Sequence, residues 1–492
     1  MDVYISGVGM TNFGKSRDPL EKMMAEAAGL ALKNAQMERV DAIYIGVMNV
    51  EEFVGDSNFA ALLADTIGLS GIPSTRVETA SSTGAAALET AFYAVSSGHM
   101  KNVLVLAGEK MTHLPTAKTT RILSEVIDRS ERRYGATMPA LAAMIAQKYA
   151  REFKLSPKKL EEILALVAMK NHANGSLNPH AQFQKQITRE DYLKSQWVSY
   201  PFRLYDCAPI TDGAAAIVLT SQPTLVKVSG IGHATDTSAV SHRPSLTSFN
   251  STKESALKAY RMAQLNPADI QFAEVHDAFT LFEIIGTEDL GFFPPGEGWK
   301  ALKQGVTQLR GKLPINASGG LKSRGHPVGA SGLAQLVEIV WQLRQEAGTE
   351  RQLEKAEIGL AQSIGGLGNN NFVTILERAD RRRVVKEGWR PDYRPKIKPS
   401  KKTGTAPPQE GPGLLETFTI LYSPPEGFVS PLTLGFVKTK GGDTVLACNP
   451  DYRSPTDLKM GGRVNLFKKE GLFVFEKPTL WKCLQHWIKN RK

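Results

Sequence analysis

The alternation of apolar and polar positions along the chain repeats itself. VYISGVG (Val3–Gly9) reads as a strand closed by Ser-Gly, and VKVSGIG (Val226–Gly232) has the same form. RVETASSTGAAALETAFYAVSSG (Arg76–Gly98) predicts a strand, a turn of small residues and a long apolar helix. INASGGLKSRGHPVGASGLAQLVEIVWQL (Ile315–Leu343) predicts the same three in the same order. The following strands, NVLVLAGE (Asn102–Glu109) and IGLAQSIGG (Ile358–Gly366), also match. Two α/β halves of one plan, packed on each other, follow from this repeat. The first repeat helix carries Gly84, Ala85, Ala86, Ala87, Ala91 and Ala94, which leaves almost no polar face. Such a helix is buried on all sides. The second is similarly apolar, so the two should meet at the centre of a layered structure with sheets on either side.

The remaining segments interrupt or extend this plan. A long insertion, about residues 110–205, contains its own helix in PALAAMIAQKYAREF (Pro139–Phe153), and insertions of this length usually cover a site or an interface. Residues 379–410 form a Pro-punctuated basic stretch with the composition of a linker and not of a packed element. Beyond it, Leu414–Glu476 turns to short alternating strands separated by Pro-Pro, Gly-Gly and Asn-Pro, which predicts a small barrel or sandwich. Leu480–Ile488 predicts a short C-terminal helix. The expected organisation is therefore 1–225 and 226–378 for the two halves, 379–410 for the linker and 411–492 for the β domain.

Composition narrows the function classes. With 492 residues, 42% of them apolar, the chain can bury more than one core. The first strand begins at once, without the basic and apolar regions of a signal peptide, and no run of ~18 apolar residues follows. A cytoplasmic protein that does not engage a membrane is expected. The three cysteines, Cys207, Cys448 and Cys483, form no CxxC pair, which argues against a disulfide framework or a cysteine-rich zinc site. The net charge of +11 resides entirely in residues 379–492, with 22 Lys and Arg against 11 Asp and Glu, whereas residues 1–378 balance at 38 of each. No aromatic platform, zinc finger or Gly-rich RNA motif accompanies the basic tail, so nucleic acid is not the expected partner. A phosphate-bearing small molecule or an acidic surface fits better, with the linker near the entrance for such phosphates.

Three segments can carry chemistry. Ser81–Gly84 lies at a helix N-terminus, where unpaired N–H groups and the helix dipole favour an anionic oxygen or sulfur. GHPVGASG (Gly325–Gly332) presents His326 at the matching turn of the other half, and EVHDAF (Glu274–Phe279) delivers His276 and Asp277 from a strand end. Two histidines beside a nucleophile position suit acyl transfer, one taking a proton and one stabilising an oxyanion. Taken singly, Ser81 or Ser82 is equally a helix cap, His326 a turn residue, and His276–Asp277 a hydrogen-bonded pair.

ASGGLKSRGHPVGASG, EVHDAF, KNHANGSLNPHAQF (Lys170–Phe183), YDCAPITDGAAAIVLT (Tyr205–Thr220) and AGEKMTH (Ala107–His113) resemble the thiolase superfamily. HDAF, where NEAF is commoner, resembles its sterol-carrier-protein-X-like and archaeal branch. Five motifs in order cover residues 1–378. The resemblance implies a five-layered αβαβα fold, a coenzyme A thioester as substrate with no tightly bound cofactor, a homodimer or homotetramer, and lipid-type acyl chemistry. Residues 411–476 resemble the OB-fold protein that accompanies such thiolases, usually as a separate chain, so a partner enzyme held through this domain is a further implication. Its related zinc ribbon of two CxxC pairs has no counterpart in Val384–Gln409, and zinc is not expected.

By the same resemblance His326 is the base that activates the nucleophile and His276 the oxyanion-hole residue. Ser81 stands where family members place the nucleophilic cysteine, and Ser363, in SIGG, where ordinary thiolases place a second one. Cys207 lies on another motif and reads as a small buried residue. A thiol ionises near pH ~8.5 and lower at a helix N-terminus, whereas a serine hydroxyl needs a strong base at the moment of attack. The expectation is a thiolase-like acyltransferase, making or breaking a carbon–carbon bond of a 3-oxoacyl-CoA with altered or impaired thiolysis. The alternatives are retro-aldol cleavage of a 3-hydroxyacyl-CoA and a non-catalytic acyl-CoA-binding scaffold.

Overall fold

The computed structural model describes residues 1–381, 390–397, 409–449 and 451–478. The C-terminal helix expected at Leu480–Ile488 and most of the basic linker lie outside the described residues.

The N-terminal half is built on strands β1 (Tyr4–Met10), β2 (Ala42–Gly46), β3 (Ser74–Val77) and β4 (Asn102–Glu109). A hairpin follows in the insertion, β5 (Trp197–Ser199) and β6 (Phe202–Arg203), and then β7 (Gly213–Thr220) completes the half. The second half comprises β8 (Val226–Thr235), β9 (Phe272–Glu274), β10 (Ile358–Gly365) and β11 (Asn370–Arg378). The strands order as β3-β2-β4-β7-β1 and β8-β11-β10-β9, and the two sheets join where Tyr4 and Ile5 pair with Lys227 and Val226.

Helix α1 (Leu20–Ala35) covers the outer face of the first sheet, and α2 (Thr83–Ser96) its inner face. The insertion supplies α3 (Met138–Glu152) and α4 (Pro157–Gly175), the second half α5 (Asn250–Ala263), α6 (Thr280–Asp289) and α7 (Ser331–Arg344). Helix α5 covers the outer face of the second sheet, while α2 and α7 lie together between the sheets. That stack is the five-layered αβαβα arrangement.

The repeated Ser-Gly-X-Gly has a packing cause. At Gly9 a Cβ would stand 2.4 Å from the Ala27 carbonyl of α1, and at Gly232 it would stand 1.9 Å from the Ser255 carbonyl of α5. In both halves the outer helix backbone lies directly on the strand, at a separation that admits only glycine. The central helices meet as closely, since a Cβ at Gly84 would lie 2.8 Å from the Gly329 carbonyl. The small residues of α2 therefore serve a helix crossing as well as burial.

Residues beyond 410 form β12 (Gly411–Leu421), β13 (Leu432–Thr439), β14 (Thr444–Asn449), β15 (Arg463–Lys469) and β16 (Leu472–Glu476). They close in the order β12-β13-β14-β16-β15-β12, with β14 and β16 parallel, which is the five-stranded barrel of an OB fold. The barrel shares one hydrophobic core with the insertion and with α6: Met144 and Phe202 of the insertion and Phe282 of α6 belong to the same cluster as Phe418, Phe436 and Phe475. Among the described residues no helix is long and apolar enough to cross a membrane.

The described part of the linker departs from the expectation of an unpacked tether near the site. Tyr393 donates its hydroxyl to the Asp289 carbonyl and sets its ring edge-on to Tyr260, 5.6 Å between centroids. Arg390 and Arg394 flank a cleft with Arg261 of the outer helix α5 and Gln264 just beyond its end, and this cleft shares no lining residue with the cavity described next. Burying the Tyr393 ring on α5 holds this stretch on the outer layer.

Candidate active site

Strand β3 ends at Val77, and the chain turns through Glu78–Ser82 into α2. Ala80 sits in the left-handed region at φ 57°, which costs a residue with a Cβ about 1–2 kcal/mol. Local hydroxyls hold it there. Thr83 Oγ1 donates to the Ala80 carbonyl and accepts from the Thr79 N–H at 2.9 Å, while Ser82 Oγ donates to the Thr79 carbonyl at 2.7 Å. Neither hydroxyl caps the helix, because both turn back to fasten the turn. Ser82 is fully buried; Ser81 reaches the wall of a cavity of about 460 Å³.

His326 reaches the same cavity from the turn before α7. Its backbone N–H donates to Thr211 Oγ1 at 2.9 Å. Its Nδ1 lies 2.7 Å from Ser331 Oγ, whose own proton goes to the Pro327 carbonyl at 2.8 Å. Ser331 can then only accept, which assigns the ring proton to Nδ1 and leaves the Nε2 lone pair available. Burial, assisted by the Arg324 guanidinium, pushes the imidazole down to about 3. It is neutral at physiological pH.

His276 follows β9, with its N–H 3.4 Å from Gln362 Oε1 and its ring edge-on to His326 at 5.3 Å. Burial first, then His326 and Arg324, hold it well below the usual histidine range. Its Nδ1 is buried without a hydrogen-bond partner among the described residues. Asp277 is not its partner: that carboxylate accepts from the N–H groups of Leu321 (2.7 Å) and Lys322 (3.3 Å) and from Asn171 Nδ2 (2.7 Å). The reading of His276–Asp277 as a hydrogen-bonded pair is thereby corrected, since the Asp277 side chain turns to the start of a neighbouring helical turn.

The structure thus brings Ser81, His276 and His326 to one cavity. Ser363 lies outside its lining: on β10 its hydroxyl packs against Gly332, where a Cβ would stand 2.6 Å away, and it is buried without a partner among the described residues. Cys207 does line the cavity, which its motif did not reveal. Burial and the adjacent Asp206 push this thiol up to about 12, far from a reactive thiolate. Sequence reasoning also missed Glu109, in AGEKM, which accepts from Met48 N and Gly329 N at 3.0 Å each and so ties the His326 turn to the first half. Its burial raises the carboxyl well above its usual range. Thr211, in YDCAPITDG, and Gln182, in NPHAQF, complete the support, with Thr211 Oγ1 donating to Gln182 Oε1 at 2.6 Å. These supporting residues were within the quoted motifs; their contacts were not.

The five-layered αβαβα body defines a thiolase-type fold, and Ser81, His276 and His326 meet on one of its cavities. A family model described as "Thiolase, N-terminal domain" matches residues 3–223, and one described as "Thiolase C-terminal domain-like" matches residues 232–378. The chain is 42% identical to an acetyl-CoA acetyltransferase of Methanothermobacter thermautotrophicus over 77% of its length and all of that protein. It is 34% identical to sterol carrier protein 2 of Bos taurus over 76% of its length and 72% of that protein. The chain belongs to the thiolase family. A solved structure described as an "Ltp2-ChsH2(DUF35) aldolase" shares the fold at a TM-score of 0.65 and 22% identity, over 77% of this chain and 98% of that one.

Proposed function

We propose that this protein is a thiolase-like acyltransferase that makes or breaks the C2–C3 bond of a 3-oxoacyl-CoA, with Ser81 in the nucleophile position. The observation that supports it is the meeting of Ser81, His276 and His326 on one cavity. In this reading His326 Nε2 accepts the Ser81 proton as the hydroxyl attacks the 3-keto carbon and His276 stabilises oxygen charge on the substrate; the C2–C3 bond then breaks, its electron pair going to C2 of the departing CoA ester, which takes up the proton held by His326. A coenzyme A thiol then takes the acyl group from Ser81. With the imidazole pushed down to about 3 and a hydroxyl in place of a thiol, acylation and exchange should both be slow.

The same features favour a second reading, retro-aldol cleavage of a 3-hydroxyacyl-CoA. That reaction needs a base and an oxyanion hole but no covalent intermediate, and the fold neighbour described as an aldolase is in keeping with it. A panel of 3-oxo- and 3-hydroxyacyl-CoA esters, followed by mass spectrometry in wild type, Ser81→Ala and His326→Ala, separates the two. Acyl transfer should fall by ~10²-fold or more in both variants. Cleavage that survives Ser81→Ala but not His326→Ala would establish the aldol reading, and turnover of no ester would leave only a binding role.

A further inference from the structure

The two histidines of the cavity are held from behind by one buried polar cluster. Val275, just before His276, donates its N–H to Asn316 Oδ1 at 2.8 Å, and Asp277, just after it, accepts from Asn171 Nδ2 at 2.7 Å. The same Asn171 nitrogen lies 2.8 Å from Glu283 Oε2, which also accepts from Asn316 Nδ2 at 2.8 Å. Asp277 in turn accepts from the N–H groups of Leu321 and Lys322, in the helical turn Gly320–Arg324 that leads to His326. His276 is therefore fixed on both sides, and the chain leading to His326 is fixed by the carboxylate next to it.

Asn171 is the joint of this cluster. It belongs to α4 of the insertion, and Asn171, Asp277 and Glu283 are all buried. Among the described residues it is the one donor that Asp277 and Glu283 share. Glu283 already has Lys170 Nζ at 3.0 Å, and Asp277 has the Leu321 and Lys322 N–H groups, so neither depends on Asn171 alone for its charge. Asn171 adds control of their separation, because its nitrogen carries two protons and can give one to each carboxylate. Without it two buried carboxylates would face each other and repel. Its own carbonyl oxygen is buried without a partner among the described residues, and an apolar side chain would fill the space without that cost. Asn171 does not line the cavity, so it acts on a bound ester only through other groups.

We propose that Asn171 is a positioning residue for the site: by joining Asp277 to Glu283 it sets the backbone of His276 and, through Asp277, the approach to His326. The proposal deepens the acyl-CoA reading above and rests on it for the roles of the two histidines. It gives the insertion a task inside the site besides that of covering it.

The test compares wild type, Asn171→Ser and Asn171→Asp as full-length protein labelled with carbon-13 at histidine Cε1, with His276→Gln and His326→Asn identifying the two signals by NMR. Asn171→Ser leaves at most one donated proton, and Asn171→Asp places a third carboxylate in the cluster. In both, the His276 and His326 signals should move, while that of the exposed His99, just beyond the far end of α2, stays in place. With a 3-oxoacyl-CoA ester, kcat should fall roughly tenfold or more in either variant, with KM within twofold. Unmoved histidine signals in a folded variant, or a rise in KM with kcat unchanged, would overturn the proposal while the acyl-CoA reading stands. Loss of folding in both variants would reduce Asn171 to a residue of stability and overturn the proposal as well. If wild type turns over no ester, the acyl-CoA reading falls, and the two histidine signals still decide the positioning.

Discussion

The turn Thr79–Thr83 and the turn Gly325–Ser331 enter two helices that cross at the centre of the molecule, and each is fastened by a hydroxyl in the first position of its helix. Thr83 Oγ1 donates to the Ala80 carbonyl; Ser331 Oγ donates to the Pro327 carbonyl. The two differ in what they do next. Thr83 takes a backbone N–H from Thr79 and so holds a strained turn, whereas Ser331 takes the Nδ1 proton of His326 and so sets the state of a side chain in the cavity. In the proposed reaction one repeat unit thereby provides a position for a nucleophile in one half and a base in the other. In the first turn Ser81 lines the cavity, and in the second His326 and Val328 do.

The largest expected effect comes from restoring sulfur to the first turn. Ser81→Cys should raise thiolytic cleavage of a 3-oxoacyl-CoA by ~10²-fold or more and show a covalent acyl adduct on that residue by mass spectrometry, because a thiol is both more acidic and a better acyl carrier. Ser82→Cys, fully buried beside it, should show no adduct. If Ser81→Cys reacts with a thiol reagent no faster than Cys207, the first turn does not present a nucleophile.

Loosening the same turn tests its structural side. Thr83→Val keeps the shape but removes both hydrogen bonds of the hydroxyl, and should lower unfolding free energy by about 2 kcal/mol in chemical denaturation. A loss below ~0.5 kcal/mol would mean that Ala80 holds its left-handed conformation unaided.

In the second turn the matching change should act on turnover more than on folding. Ser331→Ala frees Nδ1 of His326 and permits the other tautomer, which should cut kcat about tenfold, equivalent to about 1.4 kcal/mol, with KM nearly constant. Ser331→Thr, which keeps the hydroxyl, should recover part of that loss. An unchanged kcat in Ser331→Ala would show that the tautomer is set elsewhere.

The smallest effect is on acid stability. His326 titrates near ~6.5 when unfolded and at about 3 when folded, so between these values the unfolded chain binds more protons. Stability from its burial is full above pH ~6.5 and is lost as pH falls toward 3. Between pH 6.5 and 5.5 this group alone should cost about 1 kcal/mol. His326→Asn should therefore lose less stability than wild type across that interval. An equal loss would place the acid sensitivity on other buried groups.

The sequence determined the repeat itself, because period-two strands and an all-apolar helix recur in the same order in both halves. Its glycines also carried information, since Ser-Gly-X-Gly and Gly84 are sites where a helix backbone comes too close for a Cβ. The residues of the site were legible as motifs, because Ser81, His276 and His326 each occupy a distinctive local pattern. Their mutual placement was not. Only the tertiary structure decided that Ser363 faces Gly332 instead of the cavity, that Cys207 faces the cavity as an unreactive thiol, and that Asp277 turns away from His276. It likewise decided that Tyr393 anchors the described linker on α5, and that a loop of the barrel reaches the cavity wall at Ser423. The physical reason is range. Periodicity and turn chemistry report on neighbours a few residues apart, whereas burial, pKa and cavity walls are set by chain segments hundreds of residues distant, as Leu421 against Ser199 and Gly329 against Glu109 are here.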